Sequence, residues 1–284
     1  MYQLESEIPK PAASFPVVFV ANDAVYWQTC AFLESIKQNS PNVRLICIPY
    51  NERINRIRSL QHFYGFEIKN IDRAEIDEFS RDIYGFEYGL LIKLTAFGLG
   101  LDRFILIDTD IIVLQDLRGL FVRDKSDVIY SDQTRGFCYE NRSHPLAARS
   151  HEFNTGNILC DGRTMALDRI LDVCRHDLAT LQAIGMLDCP DQAVLNFAAD
   201  SMGLTIKSFD DAGSPYASET WYKHIFMDYA GKLVRQRDMK PVSMLHFAGS
   251  GEYGGIEKCP VRTEFYRKYA IDSHFRLNGR KFTI

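Results

Sequence analysis

This 284-residue chain has no long hydrophobic run, no CxxC pair and no excess of basic residues. Each absence removes a class. No apolar stretch approaches the roughly 20 residues that a membrane-spanning helix needs. The start, Met1-Tyr2-Gln3-Leu4-Glu5, lacks a basic segment followed by an apolar one. No secretory signal is therefore expected, and a cytoplasmic setting is the simplest. The seven cysteines (Cys30, Cys47, Cys138, Cys160, Cys174, Cys189 and Cys259) are scattered and odd in number. They suggest neither a disulfide framework nor a zinc site. Cys47 and Cys160 lie in apolar runs and read as small core residues. Without a signal, the Asn141-Arg142-Ser143 sequon reads as a chance match. Lys and Arg total 33 against 37 Asp and Glu, a formal net charge of -4. That argues against nucleic acid as the main partner. No repeat, low-complexity tract or clear linker interrupts the chain.

What is present fits one large domain. Hydrophobic residues make up 46% and charged residues 25%, an ordinary globular balance. Residues 1–14, with Pro9 and Pro11, read as a flexible leader before a domain over 15–284. Phe15 to Ala21 and Val43 to Ile48 read as buried strands. A helix through Trp27, Phe32 and Ile36 lies between them, and a second covers about Glu52 to Phe63. This β-α-β-α order predicts an α/β fold with a central, mostly parallel sheet. Further along, the pattern predicts helices over Leu90–Leu99, Thr164 to about Leu181, and Asp188–Asp200. Strands are expected at Phe104–Ile107, Ser126–Tyr130, Asn157–Leu159, Thr205–Phe209 and Ser243–Phe247. Gly136–Arg149 reads as a loop, and Gly249–Gly255 as a glycine-rich one.

The run Phe104-Ile105-Leu106-Ile107-Asp108-Thr109-Asp110-Ile111-Ile112-Val113 places two carboxylates, one residue apart, between two apolar segments. Carboxylates seldom enter a core without a partner. A pair at the end of a buried strand suggests a bound divalent cation shared with substrate phosphates. A strand-end turn capped by Asp is the plainer alternative. Parallel sheets put ligands at the carboxyl ends of their strands. Asn22-Asp23, Asp132 and His246 also follow apolar strand-like runs.

The ordered set of motifs resembles family 8 of the retaining GT-A glycosyltransferases. That group contains glycogenin, galactinol synthases and bacterial lipopolysaccharide glucosyl- and galactosyltransferases. The resemblance spans roughly residues 16 to 255. It implies a GT-A, Rossmann-like domain and transfer of a hexose, glucose or galactose first, from a UDP-sugar. Ala21, Asn22, Asp23 and Tyr26 would meet uracil and ribose, although Tyr26 falls one place later than the aromatic residue of some relatives. Lys93 matches a basic residue near the donor diphosphate. Asp108-Thr109-Asp110 matches the DxD motif, whose carboxylates hold Mn²⁺ or Mg²⁺ and whose middle residue lies near the ribose. His246 in His246-Phe247-Ala248-Gly249 matches the third metal ligand, and Gly249 lies near the phosphates. Phe153-Asn154-Thr155-Gly156 matches a segment lining the sugar pocket, and Asp132 is expected on sugar hydroxyls. Asp191 and Gln192 in Asp191-Gln192-Ala193-Val194-Leu195-Asn196 match residues at the donor sugar and its reacting carbon. Asn154, Asp191 and Gln192 are thus the expected catalytic side chains.

One departure stands out. Relatives often place a Lys three residues after that glycine, where this chain has Glu252. Lys258, Arg262 or glycine N–H groups are the available substitutes.

Two other readings share the α/β sheet. A sugar-nucleotide nucleotidyltransferase would carry a glycine-rich basic loop after the first strand, and Ala21-Asn22-Asp23-Ala24 is neither. A catalytically degenerate binding or scaffold protein would not need intact Asp108, Asp110, Gln192 and His246. Nothing identifies the acceptor as saccharide, lipid-linked or protein, and the oligomeric state is open. Trp221-Tyr222-Lys223-His224 and the basic, aromatic C-terminus read as a packed tail, with peripheral membrane contact as the alternative.

Overall fold

A computed structural model describes residues 15–121, 124–134, 136–186, 189–218, 226–229, 232–235, 237–247 and 260–278. The leader at 1–14, Trp221–His224, Gly249, Lys258 and the side chain of Arg262 lie outside the described residues.

A seven-stranded sheet forms the centre. Its strands are β1 (Phe15–Ala21), β2 (Val43–Pro49), β3 (Glu67–Ile68), β4 (Arg103–Ile107), β6 (Val128–Tyr130), β7 (Asn157–Asp161) and β8 (Ile206–Ser208). The strand β5 (Ile111–Val113) lies outside it. The spatial order is β3-β2-β1-β4-β7-β6-β8, and β7 alone runs against the others. The sheet is mixed but mostly parallel, as the sequence pattern predicts.

Both faces are covered, which explains why the strands are apolar throughout rather than alternating. On one face Val18, Ile46, Ile48, Phe104 and Leu106 pack with α3 (Ala74–Tyr84), α5 (Leu167–His176) and α7 (Pro190–Ser201). On the other, Val17, Phe19, Leu45, Cys47, Ile105 and Ile107 pack against α1 (Tyr26–Asn39) and α2 (Asn55–Tyr64). The remaining helices are α4 (Pro145–Arg149), α6 (Leu178–Ile184) and α8 (Pro260–Asn278).

Three expectations change. Leu90–Leu99 lies in a 3-10 segment, Gly89–Gly98, rather than an α-helix. The helix expected over 164–181 divides at Asp177, whose φ of -106° and ψ of 30° end α5 and start α6. Within the span read as a loop, His144 caps the short helix α4, with Pro145 in its first turn.

Among the described residues, two small ladders lie outside the main sheet. β9 (Phe226–Tyr229) pairs with β10 (Lys232–Arg235). β11 (Met244–His246) pairs antiparallel with β5, so His246 is the last residue of a peripheral ladder rather than following a strand of the main sheet. The C-terminal tail packs as α8 on α1. Both guanidinium contacts of Arg276 reach Glu34 at 2.6 Å, and the Glu34 side chain is 0% exposed. Asn39 Nδ2 donates to Tyr269 Oη at 2.7 Å. These contacts hold the described part of that segment, at Tyr269 and Arg276, on α1. Among the described residues, no helix is long and apolar enough to cross a membrane.

Candidate active site

Strand β4 ends at Ile107, so Asp108 emerges where the sheet gives way to the cleft. The backbone N–H of Asp108 donates to Gly156 O at 2.8 Å. The turn through Asp110 then leads into β5. The β5–β11 register sets His246 opposite Ile111, and Phe247 N donates to Asp110 O at 3.0 Å. Residues more than 130 positions apart are joined this way. Asp108, Asp110 and His246 offer ligand atoms that all lie within 4.8 Å of one another.

The chemistry of the cluster fits a divalent ion. Asp110 Oδ1 is enclosed and lacks a hydrogen-bond partner. Buried polar atoms are rarely left so, because desolvation goes uncompensated. His246 Nε2 lies 3.4 Å from Asp110 Oδ1 without a hydrogen bond between them. Two ligands of one ion stand at such a spacing, and two oxygens with an imidazole nitrogen suit Mn²⁺. Gly156 supports the close packing. A Cβ there would fall 2.3 Å from His246 Cε1 and 2.8 Å from Asp108 Oδ2.

The charges shape one another. Burial would lower the His246 imidazole pKa, but the Asp110 carboxylate outweighs it and the group sits above its ordinary value. Burial would raise Asp110, yet His246 holds it below the usual carboxylate range. Asp108 is raised, because burial exceeds the opposing pull of Lys93. Lys93 reaches both Asp108 Oδ1 and Asp191 Oδ2 at 2.9 Å. Burial would lower its pKa, but these two carboxylates raise it, so it stays an ammonium.

Asp191 lies in the first turn of α7, after Pro190. It also accepts from Thr155 Oγ1 at 2.8 Å, which ties it to the Asn154-Thr155-Gly156 turn. In that turn Asn154 Oδ1 accepts from Gly156 N at 2.8 Å, so this oxygen holds the turn closed. Asn196 clamps the same segment by pairing with both the N–H and the C=O of Phe153, each at 2.9 Å. Gln192, next to Asp191, is 3% exposed. Asp132 is buried, accepts from Ser131 Oγ at 2.7 Å, and adds to the field that raises His246.

A cleft of about 420 Å³ opens beside the cluster. Ala21, Asn22, Lys93, Asp108, Thr109 and Asp110 line it, bringing together most of the residues expected at the nucleotide. Gln28 and Tyr50 line it too and carry no local motif. Tyr50 could have been suspected only as the residue leaving β2 at its carboxyl end. A further hollow of about 690 Å³ continues past Tyr50 and Ile92 along the ends of β2 and β3.

Two expected nucleotide residues are engaged elsewhere. Asp23 Oδ1 accepts from Arg56 N at 3.0 Å and Ile57 N at 3.2 Å, holding the first turn of α2. Ala24 and Val25, rather than Tyr26, face the cleft. The Tyr26 ring instead stacks under Arg56 at 4.0 Å, and burial pushes its hydroxyl up to about 12.

No protein-family profile and no curated protein sequence matches the chain. Solved structures do. The galactosyltransferase LgtC, in complex with donor and acceptor sugar analogues, superposes with a TM-score of 0.59 at 15% identity, over 89% of this chain and 96% of that one. The bifunctional glycosyltransferase WbbM gives 0.59 at 16% identity, over 90% of this chain and 52% of that one. The glycosyltransferase GlyE of Streptococcus pneumoniae gives 0.52 at 14%, over 94% and 63%. The fold is the GT-A glycosyltransferase fold. In it, the Asp108–Asp110–His246 cluster stands at the rim of the cleft beside Lys93.

Proposed function

We propose that this protein is a retaining glycosyltransferase of the family 8 type. It moves a hexose, glucose or galactose first, from a UDP-sugar to an acceptor hydroxyl. The observation that carries this reading is the meeting of Asp108, Asp110 and His246 around an enclosed, unpartnered Asp110 Oδ1, with Asp108 and Asp110 lining the cleft. The glycosyltransferase fold supports it independently.

Asp108, Asp110 and His246 hold Mn²⁺ or Mg²⁺ in this reading. The ion supplies charge stabilisation for the leaving diphosphate. Ala21, Asn22, Thr109 and Tyr50 form the wall for the nucleoside. Lys93 brings a fixed ammonium to the phosphate side, where negative charge develops as the glycosidic bond to phosphate breaks. Asp191 and Asp132 accept hydrogen bonds from donor sugar hydroxyls. Gly156 lets the backbone approach the sugar, and Asn154 keeps that turn closed. Gln192 is a poor nucleophile, so its amide shields positive charge at the anomeric carbon while the acceptor attacks from the face the diphosphate leaves. The departing phosphate oxygen accepts the acceptor's proton.

The test is UDP release from UDP-glucose, UDP-galactose and UDP-N-acetylglucosamine by purified protein, with Mn²⁺ and with EDTA. Release from one donor, dependent on metal and lost in Asp110→Ala, supports the reading and names the sugar. If no donor is cleaved and UDP with Mn²⁺ does not bind by calorimetry, the chain is a binding protein on a transferase fold.

A further inference from the structure

The amide of Gln192 is held in one orientation by residues outside any of the motifs above. Its Nε2 donates to Thr134 Oγ1 at 2.8 Å and to Cys138 Sγ at 3.4 Å. Thr134 Oγ1 has one hydrogen, and it is committed to the carbonyl of Glu152 at 3.0 Å, an atom that can only accept. Toward Gln192 the hydroxyl can therefore only accept, so the group facing it must be the NH₂. That leaves Oε1 as the amide atom without a hydrogen bond among the described residues, and it is not enclosed.

Glu152 is built for this task. It adopts a φ of 45°, a left-handed conformation that side chains other than glycine seldom take. Its carbonyl receives both the N–H of Thr134, at 2.8 Å, and the Thr134 hydroxyl. Its buried carboxylate receives the backbone N–H groups of Gly136, Phe137 and Cys138 at 2.6, 3.2 and 3.3 Å. One strained residue thus sets the turn that carries both acceptors for Gln192. Strain kept in place beside a reacting group is a mark of preorganisation.

We propose that Thr134, fixed through Glu152, is a positioning residue that turns the Gln192 amide so that its carbonyl oxygen faces the donor sugar. The proposal rests on the transferase reading and deepens it. A carbonyl dipole pointing at an anomeric carbon opposes the positive charge that grows there, whereas an NH₂ group would add to it.

The experiment compares wild type, Thr134→Val and Thr134→Ser in the metal-dependent UDP-release assay, with kcat and donor KM measured separately and folding followed by thermal melting. Thr134→Val keeps the volume and removes the acceptor. It is expected to lower kcat by about 10-fold or more with donor KM within about twofold, because the nucleotide contacts lie elsewhere. Thr134→Ser restores the acceptor and should stay within about threefold of wild type in kcat. If Thr134→Val does not fold, Thr134→Ala is read in the same way. A wild-type kcat in the hydroxyl-free variant, or equal damage from Thr134→Ser, overturns the proposal while leaving the transferase reading intact. A wild-type protein that releases UDP from no donor overturns both.

Discussion

The ammonium of Lys93 lies 2.9 Å from Asp191 Oδ2, and the same nitrogen lies 2.9 Å from Asp108 Oδ1. One cation therefore ties the strand end that carries the metal-type carboxylates to the helix that carries Gln192. Removing it, as in Lys93→Met, leaves two carboxylates facing each other. Only Asp191 is enclosed, with its side chain 7% exposed against 32% for Asp108, so the stability cost comes mainly from that side. Loss of a fixed cation near a developing anion costs on the order of 100-fold in rate. Urea unfolding in EDTA and kcat for UDP release should show both losses. Wild-type stability in Lys93→Met would deny the bridge.

Gly156 makes a separate prediction. Its hydrogen faces His246 and Asp108 at distances no methyl group can share, with a substituted Cβ at 2.3 and 2.8 Å from them. Gly156→Ala must push one of these ligands aside. Affinity for Mn²⁺, measured by titration calorimetry without nucleotide, should fall by about tenfold or more, while the core stays folded. An unchanged metal affinity would show that the ligands can shift freely.

How much of this was legible in the sequence depends on the distance over which a contact acts. The Val17-Val18-Phe19 and Phe104–Ile107 runs are buried on both faces, so local composition reported them. Asp108 and Asp110 stood out because charge interrupts apolar sequence. The Pro190-Asp191-Gln192 start of α7 was marked by a proline in the first turn. The β5–β11 ladder was less visible, since three-residue strands carry little pattern. Asp23 looked like a cleft residue from its position after β1, yet its oxygen caps a helix more than 30 residues onward. The helix α8 depends on a Glu34–Arg276 pair separated by 242 positions, beyond any local signal. Thr134 and Glu152 lie in no motif, and the bond that joins them spans 18 positions.

The unpartnered Asp110 Oδ1, 3.4 Å from His246 Nε2, predicts a stabilising ion. A ligand that binds the folded chain alone adds about 2.7 kcal/mol at 100 times its dissociation constant. Mn²⁺ should therefore raise the melting temperature and EDTA should abolish the increase. In Asp110→Asn the increment should largely vanish, because a charged ligand is lost. The apo variant should melt within a few degrees of apo wild type, since loss of the attraction to His246 is offset by relief of the repulsion with Asp108. No metal-dependent shift in the wild type would leave the enclosed Asp110 oxygen without its explanation.

Acid stability offers a test remote from the cleft. Asp210 pairs with Arg235 at both oxygens and receives Lys240 Nζ at 2.8 Å. Burial alone would raise its carboxyl, but Arg235 and Lys240 outweigh it and bring the pKa down to about 2. A carboxyl near 3.9 in the unfolded chain binds its proton first as pH falls. Folding is therefore favoured by this group above about pH 4, and that contribution is lost between about pH 4 and pH 2. At neutral pH it amounts to about 2 kcal/mol. Asp210→Asn should remove it, lowering stability at pH 7 and flattening the loss of stability across that acid window. Urea unfolding at a series of pH values would read both. The pair also bears on the site, because Arg235 closes β10 and Val242 N bonds back to Leu233 just before β11 delivers His246. Asp210→Asn should accordingly weaken Mn²⁺ binding slightly, and far less than Gly156→Ala, since it loosens the approach to the ligand and leaves the ligand itself in place.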